Sequence, residues 1–118
     1  MKAPEYVQLS RKELQEAEAF LTRGDYHQAS GKFWEAAAVM VKAVAENKEW
    51  PHESRRELNR TISKLVQETG RRELIRLFSL AGCFHTNFHE GWLTPEQVTD
   101  LAIDVRELIR QLDQILEP

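Results

Sequence analysis

The residues of this 118-residue chain best suited to chemistry lie in one short run, Phe84-His85-Thr86-Asn87-Phe88-His89-Glu90. His85 and His89 are four positions apart, which on a helix puts both imidazoles on one side, about 6 Å apart along the axis and within reach of a common ligand. Such a pair can bind zinc, the first choice for imidazole and carboxylate donors. Cys83, two positions before His85, projects about 160° away from it. No glutamate follows His85 as the helical metalloprotease pattern requires, so a metal centre would need a third ligand from elsewhere in the chain. We therefore expect no metal and no other cofactor, and His85 with His89 form the one candidate metal pair.

On a helical wheel His85 falls within the stripe Leu74, Phe78, Ala81 and Phe88. That position predicts a core histidine whose ring is bonded to a carbonyl or a facing polar group. The alternative is a polar group in an apolar wall, where desolvation favours the neutral imidazole that both donates and accepts. His85 is the one candidate catalytic residue, and His89 and Glu90 are expected to line a polar pocket with it. Asn87 is a further candidate binding residue, though it lies toward the Arg76 side of the helix.

Anion contacts have a clear source. From Ser54 to Arg76 seven basic residues (Arg55, Arg56, Arg60, Lys64, Arg71, Arg72, Arg76) face three acidic ones, a local net of +4 in a chain whose formal net charge is −3. A basic stripe of this kind attracts phosphate while the remaining surface repels it; the plainer reading is a solvated helix face. Arg55, Arg56, Arg60 and Lys64, together with Arg71, Arg72 and Arg76, are accordingly candidate phosphate contacts.

The elements that must position these groups are helices. Ser10 with Glu13, flanked by Leu9 and Leu14, reads as a helix start, and so does Thr94-Pro95 with Gln97, flanked by Leu93 and Val98. Gly24-Asp25 reads as the end of one helix and the cap of the next. A second helix over about 25–47 carries a broad, alanine-filled apolar stripe, which predicts a central helix with neighbours on two sides. Glu49-Trp50-Pro51-His52 breaks it. Ser54 and Glu57 open a shorter helix that Gly70 ends, a fourth runs from about 71 to 90, and Gly91-Trp92 closes it. The fifth has the cleanest period, from Val98 through Leu116. With no convincing strand and short connections, the expectation is an all-α, up-and-down bundle of four long helices with the shorter third packed beside or across it, a single domain over 1–118. Trp34, Trp50 and Trp92 are expected to pack, with Trp92 the one suited to a dimer seam. Lys42, with Glu35 and Glu46 near it on the wheel, is expected to form a solvated, ion-paired edge.

Composition narrows the classes further. A single cysteine excludes an intrachain disulfide, and 42% hydrophobic residues with five glycines and four prolines argue against disorder and turn-rich β architectures. No apolar run approaches the roughly 20 residues of a membrane span, and MKAPEYVQLSRKE has no signal-peptide core, so a cytoplasmic location is expected. There is no phosphate-binding glycine loop, no GxSxG elbow and no CxxC pair; hydride transfer, P-loop phosphotransfer and serine hydrolysis have no support.

The run from Ala19 to Ala29, with Phe33 and Ala36, resembles the middle of a tetratricopeptide repeat, but Val41-Lys42-Ala43-Val44 continues the helix where a repeat would turn. A fuller resemblance spans nearly the whole chain. Gly24-Asp25-Tyr26, Trp34-Glu35-Ala36-Ala37-Ala38 running on to Lys42-Ala43, the Trp50-Pro51-His52 break and the His85/Asn87/Phe88/Glu90 cluster together resemble the PaREP family of the HEPN-like superfamily. The resemblance implies a four- or five-helix bundle, homodimerisation, and membership of a superfamily of nucleotide-binding domains and RNA-cleaving toxins. The superfamily's RNases carry an Arg four to six residues before a His on one helix. Here eight residues separate Arg76 from His85, which puts them on nearly opposite faces at about 100° per residue. The expected function is a homodimeric nucleotide- or RNA-binding module without that RNase motif. The alternatives are an RNase toxin with a dimer-completed site and a non-catalytic protein-interaction bundle.

Overall fold

The computed structural model describes residues 1–117 and contains five helices, α1 (Ala3–Thr22), α2 (Tyr26–Lys48), α3 (Arg55–Thr69), α4 (Glu73–Glu90) and α5 (Pro95–Leu116), with no strand among the described residues. α1, α2, α4 and α5 form an up-and-down bundle around one core, and α3 packs on α2 and α4. α2 touches all four other helices. Its alanines explain how: Ala29, Ala36, Ala37, Ala43 and Ala45 are fully buried, and small side chains let neighbouring backbones approach on every side. Phe33, Met40 and Val44 fill the spaces between them.

Three of the five helix starts follow the expected punctuation. The Asp25 carboxylate accepts from the Gln28 N–H at 3.1 Å, the Ser54 hydroxyl from Glu57 at 3.1 Å and the Thr94 hydroxyl from Gln97 at 3.2 Å. α4 starts without a side-chain cap, at Glu73 rather than 71. Gly24, with φ 77°, makes the α1–α2 turn that only glycine adopts without strain.

The start of α1 is a correction. Ser10 does not cap a helix; it sits seven residues inside one, fully buried, and its hydroxyl donates to the Ala36 carbonyl of α2 at 2.7 Å. The true start is marked by Pro4 in the first turn and by Glu5, whose carboxylate accepts the Lys2 backbone N–H at 2.9 Å. A serine three residues before a glutamate thus served a helix contact, not a helix end. Along the same α1–α2 seam Lys32 bridges Glu13 (3.1 Å) and Glu16 (2.7 Å). Arg106 of α5 grips Glu18 of α1 through two nitrogens, at 2.6 and 2.7 Å, which closes the ring of four long helices.

Candidate functional site

The last turns of α4 lie against the first half of α2, and between them opens a cleft of about 320 Å³ lined by Gln28, Gly31, Lys32, Trp34 and Glu35 from α2 and by His85, Phe88 and His89 from α4. Gly31 creates the close approach. A Cβ there would come within 2.6 Å of the Phe88 ring, so the absence of a side chain is what lets Phe88 lie on the α2 backbone. A run of rings follows, beginning at His27 just outside the cleft and continuing along its lining. His27 stacks on Phe88 with centroids 4.7 Å apart, Phe88 meets His89 edge-on at 5.4 Å, His89 meets His85 edge-on at 5.0 Å, and His85 meets Trp34 at 5.1 Å. Beyond Trp34 the Arg55 guanidinium at the start of α3 lies 4.5 Å above the indole ring and 5.3 Å from the Phe78 centroid. Gly82 makes room for it, since a Cβ at that position would stand 2.6 Å from an Arg55 nitrogen.

His85 is exposed, which corrects the expectation of a core histidine. The buried face of α4 runs through Leu74, Leu77, Phe78, Ala81 and Phe84 and continues to Asn87, not to His85. One step around the helix from Phe84, the imidazole reaches the shoulder of that face and becomes a wall of the cleft. Asn87 takes the core position instead, and both ends of its amide are spent on the fold. Nδ2 donates to the Ser30 hydroxyl at 2.9 Å, and Oδ1 accepts the Leu93 N–H at 2.7 Å. It clamps the α4–α5 turn to α2 from behind the cleft.

The other sequence candidates are dispersed. Glu90 is exposed in the last turn of α4 and does not line the cleft. Arg71 donates to the Gln114 side chain of α5 at 3.0 Å, while Arg72 and Arg76 stand exposed near the opposite end of α4 from the histidines. α4 runs unbroken through Gly82, so Arg76 and His85 stay on nearly opposite faces. His85 and His89 are brought together as two imidazoles, and no group of three or more His, Cys, Asp or Glu side chains suited to a metal occurs among the described residues. Lys42 does not gather Glu35 and Glu46. Glu46 is instead bonded to His52 Nε2 at 2.8 Å, and that contact lowers its carboxyl pKa.

Three contributions to the cleft escaped sequence reasoning. Trp34, at 8% exposure, belongs to the core and yet presents part of its ring to the cleft. Gly31 lies within a helix, where a glycine at about 1 kcal/mol below alanine in propensity is the available signal. Arg55 was one of seven basic residues with nothing in the sequence to distinguish it. Within the cleft the charges nearly balance: Lys32 is already held by Glu13 and Glu16, which raises its pKa, and Glu35 is exposed. The arrangement is a slot with aromatic and imidazole walls, hydrogen-bonding groups at its rim and one guanidinium at its α3 end.

With this geometry in place the chain can be classed as a five-helix bundle with an aromatic cleft between its central and fourth helices. Residues 5–109 match the Archaeal PaREP1/PaREP8 family, and the chain belongs to that family. The fold is similar to that of a crystal structure of a protein from Sulfolobus solfataricus, with 26% sequence identity, a TM-score of 0.81, and coverage of 92% of this chain and 96% of that one. No curated protein matches the chain significantly. No helix among the described residues is long and apolar enough to cross a membrane.

Proposed function

We propose that the protein is a nucleotide- or RNA-binding module and that the α2–α4 cleft receives one unpaired base. The observation that carries this reading is the unbroken run of rings from His27 through Phe88, His89 and His85 to Trp34, ending under the Arg55 guanidinium. A flat heterocycle gains about 1–3 kcal/mol from stacking on such side chains. Gln28, His85, His89 and Glu35 offer donors and acceptors to its edge, which a purely apolar ligand would leave unpaired. In this reading a phosphate attached to that base would meet the Arg55 guanidinium over Trp34, and guanidinium suits phosphate geometry. The cleft volume is at the lower end of the range for small-ligand sites, about 300–1,000 Å³.

The reading is complete within one chain; the homodimer implied by the family resemblance is a separate expectation, checked by light scattering. No Arg partner stands beside His85 on α4, so the proposal is binding, not cleavage. The test is fluorescence anisotropy with labelled adenosine monophosphate and labelled single-stranded RNA, for wild type, His85→Ala and Arg55→Gln, with the RNA examined for cleavage afterwards. Binding weakened about tenfold by each substitution, with intact RNA, is expected. RNA cut by wild type and spared by His85→Ala would replace this reading with the nuclease one. No binding of either ligand would remove it.

A further inference from the structure

The cleft has room for one base, yet the basic residues continue past it. On α3, Arg56, Arg60 and Lys64 are all exposed and follow one another at four-residue intervals. That spacing places them in a row with steps of about 6 Å along the axis, comparable with the backbone repeat of an extended single strand. Exposed Asn59 and Ser63 flank the row. Glu68 is bound to Lys48 at 2.8 Å, and Glu57, which flanks Arg60 and Lys64 on one side of the row, has one carboxylate oxygen accepting the Glu53 and Ser54 backbone N–H groups at 2.7 and 3.2 Å.

None of Arg56, Arg60 and Lys64 enters an ion pair among the described residues, a state they share with Arg72 and Arg76 of α4; what sets them apart is their alignment along one helix. Like charges four apart on a helix cost stability, and a chain of net charge −3 has acidic residues to spare. A polyanion lying along the row would relieve that repulsion. Lys64 is also held in place, its ammonium 4.8 Å from the centroid of the half-buried Trp50 ring. At the other end Arg55, adjacent to Arg56, lies over Trp34 of the cleft. The row thus begins one residue from Arg55, about 100° further around the helix, and leads from there toward Trp50.

We infer that α3 is a phosphate track for a single-stranded polynucleotide, whose backbone runs over Arg56, Arg60 and Lys64 while one of its bases occupies the α2–α4 cleft. This rests on the proposed reading of the cleft. It names the ligand as a strand and not a mononucleotide, and as unpaired, because a base in a duplex cannot enter the slot. It also assigns the strand to α3 and not to Arg72 and Arg76 of α4.

The experiment measures binding of labelled oligoadenylate over a salt series, beside its duplex with oligouridylate and beside labelled adenosine monophosphate. The proteins are wild type, the triple variant Arg56→Gln/Arg60→Gln/Lys64→Gln and the control Arg72→Gln/Arg76→Gln, each checked by circular dichroism. Each phosphate contact contributes about 0.7 to the logarithmic salt slope of a single strand. The triple variant is thus expected to lose about 2 from that slope and at least tenfold in strand affinity at low salt, with monophosphate binding unchanged. The control keeps the wild-type slope. A wild-type slope in the triple variant, an equal loss per charge in the control, or duplex bound as tightly as single strand would each overturn the track. Monophosphate binding reports the cleft alone. Its absence beside a reduced strand slope would keep the track and remove the cleft.

Discussion

Single side chains in this protein divide between those that build the cleft and those that hold its walls. Asn87 is of the second kind, with two hydrogen bonds in a nearly water-free position. Asn87→Ala leaves the Leu93 N–H without its acceptor and Ser30 without its donor, and is expected to cost about 1–3 kcal/mol. Urea denaturation would show this as a lower midpoint with an unchanged slope; a wild-type midpoint would mean that water replaces both bonds. Gly31→Ala acts on the cleft itself. The new methyl group would stand 2.6 Å from a Phe88 ring carbon, so the ring must swing into the slot. A gain in helix propensity of about 1 kcal/mol offsets part of the crowding cost of about 1–3 kcal/mol. Stability is therefore expected to change little while adenosine monophosphate affinity falls about tenfold, and an affinity equal to wild type would show that Phe88 does not wall the site. The sequence marked His85 and His89 as chemistry-bearing and placed them on one helix side. It misjudged His85 as core because the stripe was drawn through Phe88, whereas the real buried face runs through Leu77 and Phe84 toward Asn87.

Among the elements, the helix ends were the most legible, because caps are local chemistry: Asp25, Ser54, Thr94 and Pro95 each act within their own turn. Ser10 shows the limit, since whether a serine caps its own helix or bonds a neighbouring one is decided by packing that no local pattern contains. One source of pH dependence lies on α5. Its Glu107 carboxyl is held at about 2, from an ordinary 4.5, first by hydrogen bonding to Arg110 and then to Gln111. A carboxyl with a lowered folded-state pKa contributes stability that is complete above its unfolded value. That contribution is lost as pH falls from about 4.5 toward 2. Glu107→Gln should therefore flatten the fall in stability across that window in urea titrations. Sensitivity from Glu16 and Glu46, whose carboxyl pKa values are also lowered, would remain. A variant profile parallel to wild type would show that the Arg110 contact contributes nothing in solution, as exposed pairs often do.

At the scale of the whole molecule, the class of fold followed from periodicity and short connections, and the bundle of α1, α2, α4 and α5 with α3 beside it agrees with it. The cleft was not legible in the same way. It depends on Gly31 admitting Phe88, on Gly82 admitting Arg55 and on Trp34 serving core and cleft at once, three meetings between helices distant in sequence. Charge was legible as a sum but not as a layout. The seven basic residues of 54–76 separate into Arg55 over the cleft, a row on α3, Arg71 bonded to α5, and Arg72 and Arg76 at the far end of α4. The most direct test that this layout receives a base is a nuclear magnetic resonance titration of the labelled protein with adenosine monophosphate, following the Trp34 indole N–H and the ring signals of His85, Phe88 and His89. The account predicts that these signals shift together and saturate with one affinity, while those of Trp92, Arg72 and Arg76 stay in place. Shifts confined to residues outside the α2–α4 cleft, or none at all, would contradict it.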